Sequence, residues 1–186
     1  MRILAVSGSL RDRSFNTSLL RAAAEAAPDG VEVELWEGLG DLPIYDQDLE
    51  DGEVPESVRR LREEWAAAGA ILFATPEYNG SVPGGLKNAI DWASRPQPEP
   101  ALRNKPVAVV GASTGQFGAL WAQQDLKRIL GIAGARVVGT EIPVSRAHER
   151  IDEHGRVLDA ELFEQLRLHV ATLAAEAVDE GDRVAA

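Results

Sequence analysis

The sequence predicts an α/β fold: a five-stranded parallel sheet of order 2-1-3-4-5, with helices on both faces. Three observations carry that prediction. Short unbroken apolar runs alternate with stretches of helical periodicity along 186 residues, and parallel strands need crossovers that carry helices. Small polar loops follow the first, third and fourth runs, and in a doubly wound sheet of this order the ligand crevice opens between strands 1 and 3. The length and a 45% hydrophobic composition suit one domain, burying roughly 70% of the surface its unfolded chain exposes. The domain is expected over 1–180, with a frayed tail at 181–186.

Ile3-Leu-Ala-Val6 is the first buried strand, followed by the loop Ser7–Asn16 and a helical stripe at Leu19, Leu20, Ala23, Ala24 and Ala27. Val31–Trp36 alternates apolar with polar, which suits a sheet edge. Residues 42–48 read as a surface loop whose Tyr45 is placed to line a neighbouring pocket. Val54, Val58, Leu61, Trp65 and Ala68 mark an amphipathic helix, Trp65 inward, with Arg59, Arg60, Arg62, Glu63 and Glu64 facing water. Ala70–Ala74 is the third strand. The helix after it starts with Ser81 as its cap candidate and Pro83 in its first turn, where a missing N–H costs little. Arg95–Pro100 breaks regular structure without ending the domain, because the alternation resumes. Pro106–Ala112 is the fourth strand, followed by the polar loop Ser113–Gln116 and a helix to about Ile132. Arg136–Thr140 is the fifth. The stretch 143–158 is charged and turn-like, and Asp159 caps a last helix with Leu162, Leu166, Val170, Leu173 and Ala177 inward.

Composition removes several function classes. The chain has no cysteine, which excludes thiol catalysis, thiol redox motifs and cysteine zinc sites. His148, His154 and His169 are not spaced as metal ligands, so no metal is expected and all three are read as solvated. A net charge of −11 repels nucleic acid and anionic lipid, and no basic stripe offsets it. The first residues enter a strand at once, no run is long enough to span a bilayer, and the cytoplasm is the expected compartment.

The polar loops point to chemistry. Gly8-Ser-Leu-Arg-Asp-Arg-Ser-Phe-Asn16 brings backbone N–H groups, hydroxyls, a guanidinium and a helix N-terminus to one place, as a phosphate site requires. It is neither a triphosphate loop nor a dinucleotide fingerprint. The loops at 75–80 and 113–116 bring an aromatic ring, amides and backbone groups to the same crevice. A flat heterocycle tethered to one phosphate fits this set, and FMN is the natural candidate. Flavin chemistry needs no catalytic triad or paired acid and base from the protein, and none is found in these loops.

The segments Gly8–Asn16, Pro76–Trp92 and Gly111–Gln116 closely resemble the NADPH-dependent FMN reductase family, which includes quinone, chromate and azo-dye reductases. The resemblance covers nearly the whole chain and implies a flavodoxin-like three-layer sandwich. It implies that Ser9, Arg11, Ser14, Phe15 and Asn16 hold the FMN phosphate, Phe15 through its backbone. Pro76, Glu77, Tyr78, Asn79 and Gly80 would line the isoalloxazine edge and face, and Ser113, Thr114, Gly115 and Gln116 would approach it from strand 4. NADPH or NADH would be the co-substrate and a small molecule the electron acceptor. A flavodoxin-type electron carrier is the alternative on this fold, but its phosphate loop is hydroxyl-rich, whereas this one carries Arg11. Phe117, Leu120, Trp121 and, on the preceding helix, Trp92 lie off the inward stripes. With the resemblance, they predict a homodimer or homotetramer through the helices bearing Trp92 and Trp121.

Overall fold

The computed structural model describes residues 1–184, with side chains to Ala177. The elements run β1 (Arg2–Ser7), α1 (Phe15–Glu25), β2 (Glu32–Trp36), a 3-10 turn (Leu39–Asp41), α2 (Gln47–Asp51), α3 (Glu56–Ala67), β3 (Ala70–Thr75) and α4 (Gly84–Ala93). They continue as β4 (Pro106–Ala112), α5 (Leu120–Ile132), β5 (Arg136–Val137), β6 (Pro143–Val144), α6 (Ala147–Arg150) and α7 (Ala160–Val184). The tail expected to fray over 181–186 lies outside the residues whose side chains are described.

The sheet is parallel, of order β2-β1-β3-β4-β5, with β6 also paired to β4. Strands β1, β3 and β4 are apolar on both faces because both are covered. Ile3, Ala5, Leu72, Ala74, Ala108 and Val110 pack with α1 and α7. The alternate residues Leu4, Val6, Ile71, Phe73, Val107 and Val109 pack with α3, α4 and α5. These are the three layers of the predicted flavodoxin-like sandwich. Trp65 is fully buried, between Trp36 and Phe73 at ring distances of 5.6 and 5.4 Å.

Several local expectations are corrected. The fifth strand breaks after Val137, because Gly139 takes φ +73° and turns the chain out of the ladder. The chain returns as β6, pairing Pro143 and Val144 with Gly111 and Ala112. Residues 47–51 of the loop region form a short helix, capped by Asp46 accepting from Asp48 N. Arg62 does not face water: it pairs with Glu50 at 3.1 Å and lies over the Trp92 ring. Trp92 is fully buried, because the 42–46 segment folds over it. Its Nε1 donates to Pro43 O at 2.9 Å and its ring meets Tyr45 edge-on. His169 is also buried, against Gly139, and its Nε2 has no hydrogen-bond partner among the described residues. Burial, and then the charge of Lys127, lower its pKa to about 4. Asp159 caps α7 as expected, accepting from Glu161 N and Leu162 N at 3.0 Å.

Candidate functional site

β1, β3 and β4 end side by side, so the loops 8–14, 76–83 and 113–119 leave the sheet at one edge. The first two cross closely. Gly8 N donates to Ala74 O at 2.8 Å, and a Cβ on Gly8 would lie 2.9 Å from Leu86 and 3.3 Å from Ala74 O and Pro76. A side chain there would crowd the end of Leu86 and press on the Ala74 carbonyl and Pro76.

Within the first loop, Ser14 is the N-cap of α1, and its Oγ accepts from Thr17 N at 3.3 Å. A serine hydroxyl that accepts this bond still has its proton to donate. The first-turn amides of Phe15 and Asn16 have no partner within the described residues, as the start of a helix leaves them. Ser7 Oγ lies 2.9 Å from Thr17 Oγ1, and Ser9 Oγ accepts from Arg11 N at 3.4 Å. Arg11 is exposed, its guanidinium 5.1 Å from the Phe15 ring centroid, and no carboxylate pairs with it among the described residues. A concavity of about 620 Å³ runs beside this loop, with Ser7, Ser9, Arg11, Thr17 and Arg21 in its wall.

Asn16 stands apart from the other residues of its motif. Its side chain is buried and turned into the sheet, where Oδ1 accepts from Ala112 N at 2.9 Å and Nδ2 donates to Ala112 O at 3.1 Å. The expectation that Asn16 holds a phosphate is therefore corrected for its side chain; only its backbone amide is free to do so.

The second loop is tied down. Tyr78 and Ser81 exchange two backbone hydrogen bonds, and Asn79 and Gly80 between them take φ +53° and +75°. Two positive φ values in succession make the turn that an Asn-Gly pair favours. Glu77 Oε2 accepts from Ala122 N in the first turn of α5 at 3.1 Å. Ser81 Oγ donates to Asp125 Oδ2 at 2.8 Å, so Ser81 is not the cap of α4; that position belongs to Pro83. Pro76 is buried, whereas Tyr78, Asn79 and Gly80 are exposed.

The third loop is backed by β6. Ser113 N donates to Val144 O, Arg146 N to Gly115 O and Ala147 N to Ser113 O. The helix expected to open at this loop starts only at Leu120, after Gly118 and Ala119 both take positive φ. Thr114, Gly115 and Gln116 are exposed, and the side chains of Ser113, Thr114 and Gln116 make no hydrogen bond within the described residues. Two further residues, one for the second loop and one for the third, hold these segments and were not singled out from sequence. Asp125 holds Ser81, and the fully buried Gln123 accepts from Ile142 N at 3.0 Å while donating to Gly118 O at 3.1 Å. A glutamine between Ala122 and Leu126 on the inward stripe of α5 was the available signal for Gln123.

The three loops thus bring together free anion donors at one end and exposed aromatic and amide groups at the other. That donor set fits a monophosphate carrying a planar ring. Among the described residues no cluster of three His, Asp or Glu side chains could hold a metal ion, and no helix is long and apolar enough to cross a membrane.

The family model described as NADPH-dependent FMN reductase matches residues 1–149. An NAD(P)H-dependent FMN reductase of Pseudomonas aeruginosa is 41% identical over 93% of this chain and 93% of its own length. A quinone reductase of Escherichia coli K12 is 37% identical over 89% of each chain. Among solved structures, the flavoenzyme NAD(P)H:(acceptor) oxidoreductase FerB of Paracoccus denitrificans superposes with a TM-score of 0.86. It is 36% identical, with 96% of this chain and 97% of that chain covered.

Proposed function

The chain belongs to the NADPH-dependent FMN reductase family, and from that premise we propose that it reduces a quinone or similar small acceptor with NADPH or NADH in ping-pong order. Chromate, an azo compound or free flavin is an acceptor of the same kind. When bound, FMN supplies hydride acceptance and donation at its N5, while the protein contributes binding, orientation and electrostatics. The observation that carries the reading is the uncommitted donor set of the first loop in a chain of net charge −11. Arg11, the hydroxyls of Ser9 and Ser14 and the amides of Phe15 and Asn16 would hold the phosphate. Pro76, Tyr78, Asn79 and Gly80 would line the ring edge. Ser113 to Gln116 would approach the ring from the end of β4, and the exposed crevice would admit nicotinamide and acceptor in turn. The protein works in the cytoplasm.

A second copy covers the exposed face of α5. Phe117 and Trp121 are 48% and 47% exposed, with ring centroids 4.7 Å apart, an apolar pair beside the third loop. Trp92 takes no part, being buried within its own chain. A homodimer or homotetramer through this face is expected, and Trp121→Glu should yield monomer in sedimentation at micromolar concentration. Wild type sedimenting as monomer would remove the interface.

The test of function is direct. The purified protein should release FMN, not FAD, on heating. NADPH or NADH should bleach the bound flavin anaerobically, and a small quinone should restore its colour with no protein partner. Bleaching only after a separate reductase is added would make the chain an electron carrier instead.

A further inference from the structure

Glu77 belongs to the segment expected to line the flavin, yet its carboxylate is engaged elsewhere. Helix α5 starts after its N-cap Ala119, which lies in the left-handed region and offers no capping side chain. A helix start leaves its first amides without partners. Glu77 Oε2, 45 residues earlier in the chain, fills one of those positions by accepting from Ala122 N at 3.1 Å. The negative charge stands at the positive end of the helix, where it is favoured. Four residues beyond Glu77, Ser81 donates to Asp125, one turn further along the same helix. The two contacts bracket the Tyr78–Ser81 turn and fix both of its ends to α5.

We propose that Glu77 is a positioning residue: it caps α5 from the β3–α4 loop and thereby holds Tyr78, Asn79 and Gly80 in place, without itself acting on the bound ring. The proposal rests on the FMN reading for its affinity readout but not for its structural one. What the cap requires is an acceptor of the right length, so glutamine should serve nearly as well as glutamate and alanine should not. A carboxylate that acted on the flavin electrostatically would behave otherwise, because glutamine and alanine remove the same charge.

The experiment compares wild type, Glu77→Gln and Glu77→Ala in three measurements. In apo-protein, amide hydrogen exchange at Ala122 should accelerate at least about tenfold in Glu77→Ala, as loss of a charge-assisted hydrogen bond implies. It should stay within about threefold of wild type in Glu77→Gln. FMN titration by flavin fluorescence should show affinity about tenfold weaker for Glu77→Ala and near wild type for Glu77→Gln. The flavin midpoint potential of Glu77→Gln should match wild type. Unchanged exchange at Ala122 in Glu77→Ala would overturn the cap. Equal loss of affinity in both variants, with the potential shifted in both, would make Glu77 a group that acts on the ring itself. Should wild type bind no FMN, the function reading falls and the exchange measurement still decides the cap.

Discussion

The loops at 8–14 and 76–83 are built from the same kinds of residue, each leading polar side chains to the start of a helix, but they use them differently. In the second loop Glu77 and Ser81 are consumed by the scaffold: Glu77 by Ala122 N, Ser81 by Asp125, and the backbone of Tyr78 and Ser81 by each other. In the first loop most are left over, including the Phe15 and Asn16 amides and the guanidinium of Arg11, which has no carboxylate partner among the described residues. A phosphate needs donors without internal partners, because each donor already bonded must break that bond to serve it. A planar ring needs surfaces held in fixed orientation, and a pinned turn provides them. The division also runs inside the first motif, where Asn16 serves the sheet and Arg11 remains available.

That last contrast can be broken by experiment, and its largest effect should be on stability. Asn16→Ala removes the Asn16 partner from both the N–H and the C=O of the buried Ala112 backbone, so unfolding free energy should fall by about 2–6 kcal/mol, since each unsatisfied buried group costs about 1–3 kcal/mol. Denaturant titration of the apo-protein checks it; a loss under 1 kcal/mol would place Asn16 with the free donors after all.

His169 extends the comparison to a buried group with an unpartnered nitrogen. Its folded pKa of about 4 lies below the ordinary 6.5, so between those values the unfolded state binds more protons than the folded state. Stability should therefore fall by about 3 kcal/mol as pH drops from 6.5 to 4, at about 1.4 kcal/mol per unit. Below pH 4 this contribution changes no further. His169→Phe should remove that part of the acid dependence, read from denaturation midpoints across the range.

Arg11→Ala should do the reverse of Asn16→Ala. FMN affinity should fall tenfold to hundredfold, for about 1.5–3 kcal/mol of charge-assisted hydrogen bonding. Apo-protein stability should fall by no more than about 0.5–1 kcal/mol, the worth of an exposed cation over an aromatic ring. Lysine should recover only part of the affinity, because it lacks the planar fork. Equal FMN affinities across the three proteins would remove Arg11 from the phosphate end.

The smallest effect belongs to Ser81→Ala, which deletes one partly buried hydrogen bond and should lower stability by about 0.5–1.5 kcal/mol. If the two contacts to α5 cooperate, combining it with Glu77→Ala should give a loss in FMN affinity different from the product of the single losses. Simple additivity would mean that each end of the turn is held independently.

The sequence by itself determined the sheet order, the edge position of β2, the inward faces of the helices and the three loops at one edge. The faces follow from periods of two and of about 3.6 residues and the loops from composition, which are local and survive without knowledge of any distant partner. The sheet order follows from the alternation of strand and helix and the doubly wound rule. Only the tertiary structure decided where individual polar and aromatic groups at the loops find their partners. Asn16 meets Ala112 across 96 positions and Glu77 meets Ala122 across 45. Trp92 is covered by a segment 49 residues earlier, although its place on the helix wheel pointed to solvent. The break after Val137 likewise depends on where Ile142 meets Gly111 and Gln123. Spacing along the chain sets which face a side chain shares; it carries no record of what the fold brings opposite that face.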